Sequence, residues 1–353
     1  MCPAPRRVAM TLTGGHYILC VMAPAYAQSP DEPRRVEIHL GTRCNSRCAF
    51  CMSSVPRDQR EPWAVPERVR AELRHYYKRG CRAAGFLGGE PTAYPGLPAC
   101  IAYARKLGYA RISICTNGLR FSDAGFCREL VDAGLTRVTL SVHSHLARVE
   151  DRLITRVRGA LARKVRAVRN LVALRDQGRL PGNIALNPVL CRPNLEGLEG
   201  YADFFGGLGV DDIRFNYIWP HGEARGERAW VPSLREAMPR VVRLILRNEK
   251  GSRRRLSFGG VPKCALLLAG VSPRLLEHLA ARYFDEAGFD PGNDVTMAGQ
   301  AGGREERFVW QERKKDVLKV QAPGCRNCRH QDRCEGVWAS YADIYGFGEL
   351  TPL

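Results

Sequence analysis

Cys44-Asn45-Ser46-Arg47-Cys48-Ala49-Phe50-Cys51 is the stretch that decides how this chain is read. Three thiols spaced C-x3-C-x2-C can wrap one four-iron cube, each taking one iron and leaving the fourth without a protein ligand. A substrate or cofactor can bind at that open iron. The alternative for three close cysteines is a zinc site, which needs a fourth nearby ligand. Just upstream, Val36-Glu37-Ile38-His39-Leu40 predicts a strand, so the cysteines fall on the loop after a strand end. In a β/α barrel that is the functional face.

Working outward, apolar strand-like runs alternate with amphipathic helical ones. Helix 66–79 leads to strand 83–87, helix 97–107 to strand 111–115, and helix 123–133 to strand 137–142. A long basic helix over about 153–175 carries Leu153, Val157, Leu161, Val165, Val168 and Val172 on one face. Strand 183–190, helix 198–205 and strand 212–218 follow, and helix 233–248 closes the series. This alternation predicts an α/β fold with parallel strands joined by crossover helices. Six strands are too few for a closed eight-stranded barrel, so the expectation is an open, partial (β/α)6 TIM-like barrel. The expected division is an N-terminal extension at 1–33, the barrel at 34–249, and a small cysteine-rich extension at 250–353. Within the last, 251–255 reads as a basic linker, 287–303 as a Gly, Asp and Asn-rich stretch, and 273–284 as a helix.

Composition narrows the class. With 353 residues, 45% hydrophobic and 25% charged, the chain is that of an ordinary globular protein with one large and one smaller domain. The net charge of +18 rests mostly on Arg and is spread over the chain, with Arg253-Arg254-Arg255 as the tight run. Arg for Lys also follows from GC-rich coding, so nucleic acid is not the expected partner. Seven of the 14 cysteines stand in ligand spacings, and most of the others are read as small buried hydrophobes. Clustered ligands with unpaired extras argue for a reducing, cytoplasmic compartment rather than a disulfide scaffold. Against that, Arg6-Arg7 and the apolar run 17–27 ending Ala25-Tyr26-Ala27 can be read as an export signal. Gly14-Gly15-His16 and Pro24 interrupt it, and the stretch is expected to pack on the barrel instead. No other run has the length of a membrane span.

The cysteine triplet, with Phe50 before its last member, resembles the signature of the radical S-adenosylmethionine (SAM) enzymes. The resemblance implies a 4Fe–4S cluster on Cys44, Cys48 and Cys51 whose open iron is chelated by SAM. An electron from the cluster then cleaves SAM to a 5′-deoxyadenosyl radical. Further strand-end motifs fit. Gly88-Gly89-Glu90-Pro91 resembles the GGE motif that holds the SAM amine, the glycines allowing close backbone approach. Thr116-Asn117-Gly118 is similar to the family's TNG turn. Ser141 and His143 in Ser141-Val142-His143-Ser144 are SAM ribose or carboxylate contacts by resemblance, with a hydrogen-bonded interior histidine as the alternative. Asn187 belongs to the same rim, and Arg156 and Arg158 are candidates for the SAM carboxylate on a helix with too many arginines to choose between them. Tyr217, Trp219 and His221 are substrate-side candidates on position alone, or plain core. Cys191 and Cys115 are possible hydrogen-atom donors, or buried core.

A second group, Cys325-x2-Cys328-x5-Cys334, joins upstream Gly259-x4-Cys264. Both pieces resemble the SPASM and Twitch extensions that hold auxiliary 4Fe–4S clusters. The full SPASM pattern expects a cysteine at position 338, which is Trp, so a shortened extension with one cluster is expected. Zinc on the four cysteines is the alternative. The resemblance implies hydrogen abstraction from a peptide or natural product in an oxidation, epimerisation or cross-link formation. A flavodoxin- or ferredoxin-type donor would supply the electron. Residues 1–33 are too few for a leader-binding domain, so a peptide leader would bind elsewhere or to a separate protein. Small-molecule and then RNA modification are the alternatives within the class. A non-catalytic iron–sulfur carrier is the alternative outside it, and it leaves the open iron and rim motifs without a purpose.

Overall fold

A computed structural model describes residues 10–13, 16–19, 34–51, 63–251, 254–284, 293–297 and 307–353. Strands β1 (Met10–Thr13) and β2 (His16–Leu19) pair antiparallel ahead of the main sheet. Arg6-Arg7 and most of the apolar run read against an export signal lie outside the described residues. Among the described residues, no helix is long and apolar enough to cross a membrane.

The β-α alternation legible in the sequence is the frame of the molecule. Strand β3 (Arg35–His39) leads through helix α1 (Pro66–Lys78) to β4 (Ala83–Leu87). Helix α2 (Leu97–Leu107) leads to β5 (Arg111–Thr116), and α3 (Ala124–Ala133) to β6 (Arg137–Leu140). After α4 (Ala160–Asp176) come β7 (Ile184–Leu186) and β8 (Val189–Leu190), then α5 (Leu198–Gly207), β9 (Asp212–Tyr217) and α6 (Leu234–Lys250). Local chemistry marks the helix starts. Asp123 caps α3 by accepting from Gly125 N at 2.7 Å, and Ser233 with Glu236 forms a capping box on α6. Ile38, Phe86, Ile114 and Leu140 of the strands and Leu73, Ile101, Leu130 and Leu171 of the helices are buried in one core. Each such side chain contributes on the order of 2 kcal/mol of burial.

The sheet extends past the boundary expected at 249/250. Strand β10 (Arg255–Gly259) pairs parallel with β9, and β11 (Asp294–Thr296) pairs parallel with β3 and antiparallel with β12 (Arg307–Val309). The linear order is β10-β9-β7-β6-β5-β4-β3-β11-β12, an open barrel wall with more strands than the six expected. Part of the stretch read as a linker is therefore strand, held because Phe258 stacks on Phe215 at 5.2 Å. Residues 285–292 and 298–306 lie outside the described residues.

Two other elements differ from expectation. The fifth strand is split at Asn187-Pro188: proline has no N–H for the ladder, and its carbonyl accepts from Asn216 N at 2.9 Å. The long basic helix begins at Ala160, not near 153. A π-helical turn (Arg148–Ile154) precedes it, and Arg156 (φ 55°) and Gly159 (φ 71°) break the path between them. The buried stripe of α4 is consequently Ala160, Lys164, Ala167, Val168, Leu171 and Leu174, while Leu153 is exposed.

Because β3 to β10 run parallel, the loops after these strands gather at one rim. The C-terminal segment carries a short antiparallel pair, β13 (Lys319–Val320) with β14 (Val337–Trp338), and sits against the β9 side of that rim. Trp338 stacks on Trp219 at 5.0 Å and 15°, Tyr341 meets Tyr217 edge-on at 5.8 Å, and Leu234 N donates to the Tyr341 hydroxyl at 2.9 Å.

Candidate active site

The cysteine loop is tied to both neighbouring strand ends. Gly89 N donates to Gly41 O at 2.7 Å and Glu90 N to Arg43 O at 2.8 Å, stapling the Gly-Gly-Glu strap to the loop. These contacts are why glycine stands there: a Cβ on Gly89 would meet Arg43 O at 2.1 Å, and Gly88 has φ 139°. The Glu90 carboxylate accepts from Thr92 N at 3.0 Å, Thr92 Oγ1 at 2.6 Å, Thr116 Oγ1 at 2.5 Å and Asn117 N at 2.7 Å. The resemblance assigns this carboxylate to the SAM amine; here it is held by protein donors and joins the second strand end to the third. Asn117 returns to the first, its Nδ2 donating to Asn45 Oδ1 at 2.6 Å, Ser46 Oγ at 3.2 Å and Cys44 Sγ at 3.8 Å. Pro91, buried, opens the turn after Glu90. The three motifs thus form a closed ring of hydrogen bonds.

The thiols suit an iron centre. Burial pushes Cys44 up to about 11 and Cys48 up to about 12. A thiolate at either position therefore needs positive charge, which ligated iron supplies. Ser46 N donates to Cys44 Sγ at 3.3 Å, the kind of N–H···S contact that tunes cluster potentials. Phe50 is buried edge-on against the His143 ring at 5.1 Å. His143 Nδ1 accepts from Val189 N at 3.1 Å, which leaves the proton of the neutral ring on Nε2. Burial lowers the His143 pKa to about 4, so the ring is neutral at physiological pH. Ser141 lies on the same strand end, and its hydroxyl hydrogen-bonds Cys115.

A buried ion pair that sequence reading missed lies below. Glu150 and Lys164, both fully buried, meet at 2.5 Å. Glu150 also accepts from His143 N and Ser144 N at 2.8 Å each, and Lys164 donates to Ser141 O at 2.7 Å. A lysine in a strongly basic helix reads as solvated; its place on the Ala160/Ala167/Leu171 stripe was the available signal.

The remaining candidates separate. Asn187 accepts from Asn216 Nδ2 across the mouth. Arg156 makes a two-pronged pair with Glu223, both contacts 2.7 Å, and lies near enough to Cys48 to feel its charge. Trp219 and His221 pack together at 5.0 Å on the rim. Tyr217 is buried with its hydroxyl bonded to Pro232 O, and Cys191 is fully buried; these two belong to the wall rather than to the substrate face.

Cys264 and the Cys325, Cys328 and Cys334 group, about 60 residues apart in sequence, lie near one another. Cys264 lies close enough to Cys325, Cys328 and Cys334 that their charges raise its pKa, with burial the larger cause, to about 12. Backbone N–H groups point at these sulfurs: His330 N and Leu353 N to Cys328 at 3.5 Å, and Gly336 N to Cys334 at 3.4 Å. Among the described residues, no three Cys, His, Asp or Glu side chains are drawn together as ligands of a single ion. A tetrahedral zinc would hold thiolates ~3.8 Å apart.

An open parallel β/α barrel with a three-cysteine loop bonded to a Gly-Gly-Glu strap defines a class of SAM-cleaving enzymes. Residues 38–202 match the model of the Radical SAM superfamily. A 4Fe–4S cluster and SAM are the cofactors that go with this domain. Curated relatives include a probable GTP 3′,8-cyclase of Metallosphaera sedula, 28% identical over 228 residues that cover 65% of this chain and 68% of the relative. A PqqA peptide cyclase of Streptomyces rochei is 27% identical over 255 residues, 72% of this chain and 62% of the relative. Among solved structures, Streptococcus suis SuiB bound to its precursor peptide SuiA shares the fold, with a TM-score of 0.61 at 14% identity over 88% of this chain and 73% of that one.

Proposed function

We propose that this enzyme modifies a peptide by hydrogen abstraction, with residues 34–249 as the radical-generating barrel and 250–353 as an extension carrying an auxiliary cluster. The carrying observation is that Cys264 lies near Cys325, Cys328 and Cys334, in a C-terminal segment whose Trp338 stacks on Trp219 at the rim. A PqqA peptide cyclase among the relatives and a fold shared with a precursor-peptide complex support the substrate class.

Cys44, Cys48 and Cys51 would hold the first cluster, and Cys264, Cys325, Cys328 and Cys334 the second. When bound, the first cluster and SAM supply a 5′-deoxyadenosyl radical that takes a hydrogen atom from an unactivated C–H bond. Asn117 steadies the Cys44 sulfur while Gly88 and Gly89 keep the strap close to the loop. Phe50, Ser141, the neutral His143 Nε2–H and Asn187 are proposed to line the SAM side, and Trp219 and His221 the substrate side. Trp338, four residues after Cys334, stacks on Trp219, which would suit the second group to accept an electron from a substrate radical.

A relative named as a probable GTP 3′,8-cyclase favours a second reading, modification of a nucleotide. The two separate by experiment. Anaerobically reconstituted enzyme with dithionite and SAM is assayed for 5′-deoxyadenosine with a peptide library or with GTP. Peptide-dependent stimulation with a matching change in peptide mass supports the proposal. Stimulation by GTP alone replaces it with the second reading.

A further inference from the structure

The π-helical turn over Arg148–Ile154 has two unlike faces. Val149, Glu150 and Ile154 are buried, whereas Arg148, Arg152 and Leu153 are exposed. A π-turn repeats its hydrogen bonds from i to i+5, so residues 148, 152 and 153 are neighbours on one surface. Leu146, just upstream, is 49% exposed and Leu153 is 40%. Phe204, whose ring lies 6.2 Å from that of His145, is also 40% exposed. Three of the five exposed large hydrophobics among the described residues therefore stand around this one turn. Arginines rim them: Arg148 and Arg152 on the turn, Arg158 beyond its exit and Arg47 on the cysteine loop are all exposed. The acidic residues nearby are committed elsewhere. Glu150 is buried, and Asp151 accepts from Gly159 N at 2.9 Å and Leu161 N at 2.7 Å. Beside Phe204, Glu199 pairs with Arg243 and Asp203 with Arg247.

This face is built onto the cysteine loop. Arg47 N donates to Thr155 O at 3.0 Å and Ala49 N to Ile154 O at 3.3 Å, so the residues on either side of Cys48 are bonded to the end of the turn. An exposed apolar group with a charged rim is the make-up of a protein-docking surface, and a basic rim selects an acidic partner. The chemistry proposed above also consumes an electron that has to come from outside the chain.

We propose that the face formed by Arg47, Leu146, Arg148, Arg152 and Leu153 docks an acidic, low-potential one-electron carrier protein that reduces the cluster on Cys44, Cys48 and Cys51. One electron leaves the carrier, which is oxidised, and enters the cluster, which is reduced; no atom moves with it. This rests on the reading that those cysteines bind the cluster, and adds where its electron enters.

The test uses the reconstituted enzyme and a purified acidic flavodoxin as the probe. Binding is followed by biolayer interferometry over a range of salt, and 5′-deoxyadenosine formation is driven in parallel by reduced flavodoxin or by dithionite. Wild-type enzyme should bind flavodoxin with an association rate that falls steeply as salt rises. Arg148→Glu/Arg152→Glu should associate at least about tenfold more slowly at low salt. Leu153→Ser should weaken binding while keeping its salt dependence. Both should retain wild-type iron and dithionite-driven cleavage, with flavodoxin-driven cleavage reduced. Arg166→Glu/Arg169→Glu makes the same charge change at exposed positions of α4 and should behave as the wild type. Wild-type enzyme that shows no salt-sensitive binding of flavodoxin, or equal binding by the two double variants, overturns the inference. So does a loss in Arg148→Glu/Arg152→Glu of binding to an acidic peptide but not to flavodoxin, which would give the face to the substrate. Iron-loaded wild-type enzyme that fails to cleave SAM with dithionite overturns the cluster reading instead.

Discussion

Replacing Gly89 by alanine should loosen the site at its tightest seam. The added Cβ would lie 2.1 Å from Arg43 O and 2.6 Å from the carbonyl carbons of Arg43 and Thr42, all backbone atoms that cannot swing aside. Reaching ordinary contact requires the strap and the cysteine loop to part by roughly 1 Å. That movement stretches the Glu90 N to Arg43 O and Gly89 N to Gly41 O hydrogen bonds, 2.8 and 2.7 Å, beyond useful length. Two such bonds contribute about 1–3 kcal/mol together. The overpacking adds about 1–3 kcal/mol. A loss of about 3 kcal/mol is therefore expected, against a total stability on the order of 10 kcal/mol. The assay is urea unfolding of Gly89→Ala beside Gly207→Ala, whose Cβ would meet nothing within 4 Å, with iron content measured after desalting. Gly207→Ala should match the wild type; Gly89→Ala should unfold earlier and lose iron from the first group. Equal midpoints and equal iron in both variants would refute the packing argument.

Asn117→Ala removes the one amide nitrogen that reaches three acceptors on the cysteine loop and the acceptor for Leu119 N, and should cost about 2 kcal/mol. Its expected signature is faster iron loss in a chelator challenge. Acid should destabilise the barrel through His39 and His143, whose pKa values burial lowers to about 4. The unfolded chain takes up protons on both from about pH 6.5 downward while the folded one does not. Stability therefore falls between about pH 6.5 and 4 and is independent of these groups above that window. Denaturation across this range should show a shallower decline in His39→Asn than in the wild type. Cys264→Ala should lower total iron by about the four of one cluster while 5′-deoxyadenosine formation persists.

What was legible in the sequence was what local pattern encodes. Alternating apolar runs located β3 to β6 and β9, because those strands are buried in a parallel sheet. The spacing of Cys44, Cys48 and Cys51, and Gly259-x4-Cys264 with its distant partners, pointed to the two proposed thiol groups, and the fold sets Cys264 near Cys325, Cys328 and Cys334. Strands β10 and β11 were missed because each is short, three to five residues, and stands beside an arginine run or a Gly/Asp-rich stretch. They are strands because an adjacent edge offers them hydrogen bonds. The start of α4 was misplaced because apolar spacing runs through Leu153 and Val157, whereas the left-handed backbone at Arg156 and Gly159 ends that continuity. Lys164 and Glu150 were illegible for a related reason. Their burial depends on three separate backbone segments meeting, which no single stretch announces. Tyr217 was placed correctly at a strand end, but the C-terminal segment carrying Tyr341 covers it and assigns it to the wall.

Metal analysis of anaerobically reconstituted protein, with iron, acid-labile sulfide and zinc counted together and 5′-deoxyadenosine assayed on the same sample, tests the two-cluster enzyme most directly. The expected result is about eight irons and eight sulfides per chain, no zinc, and SAM cleavage under dithionite. About four irons with cleavage would remove the auxiliary cluster and return its cysteines to zinc or to structure. Zinc without iron, and no cleavage in folded protein, would contradict the proposed chemistry altogether.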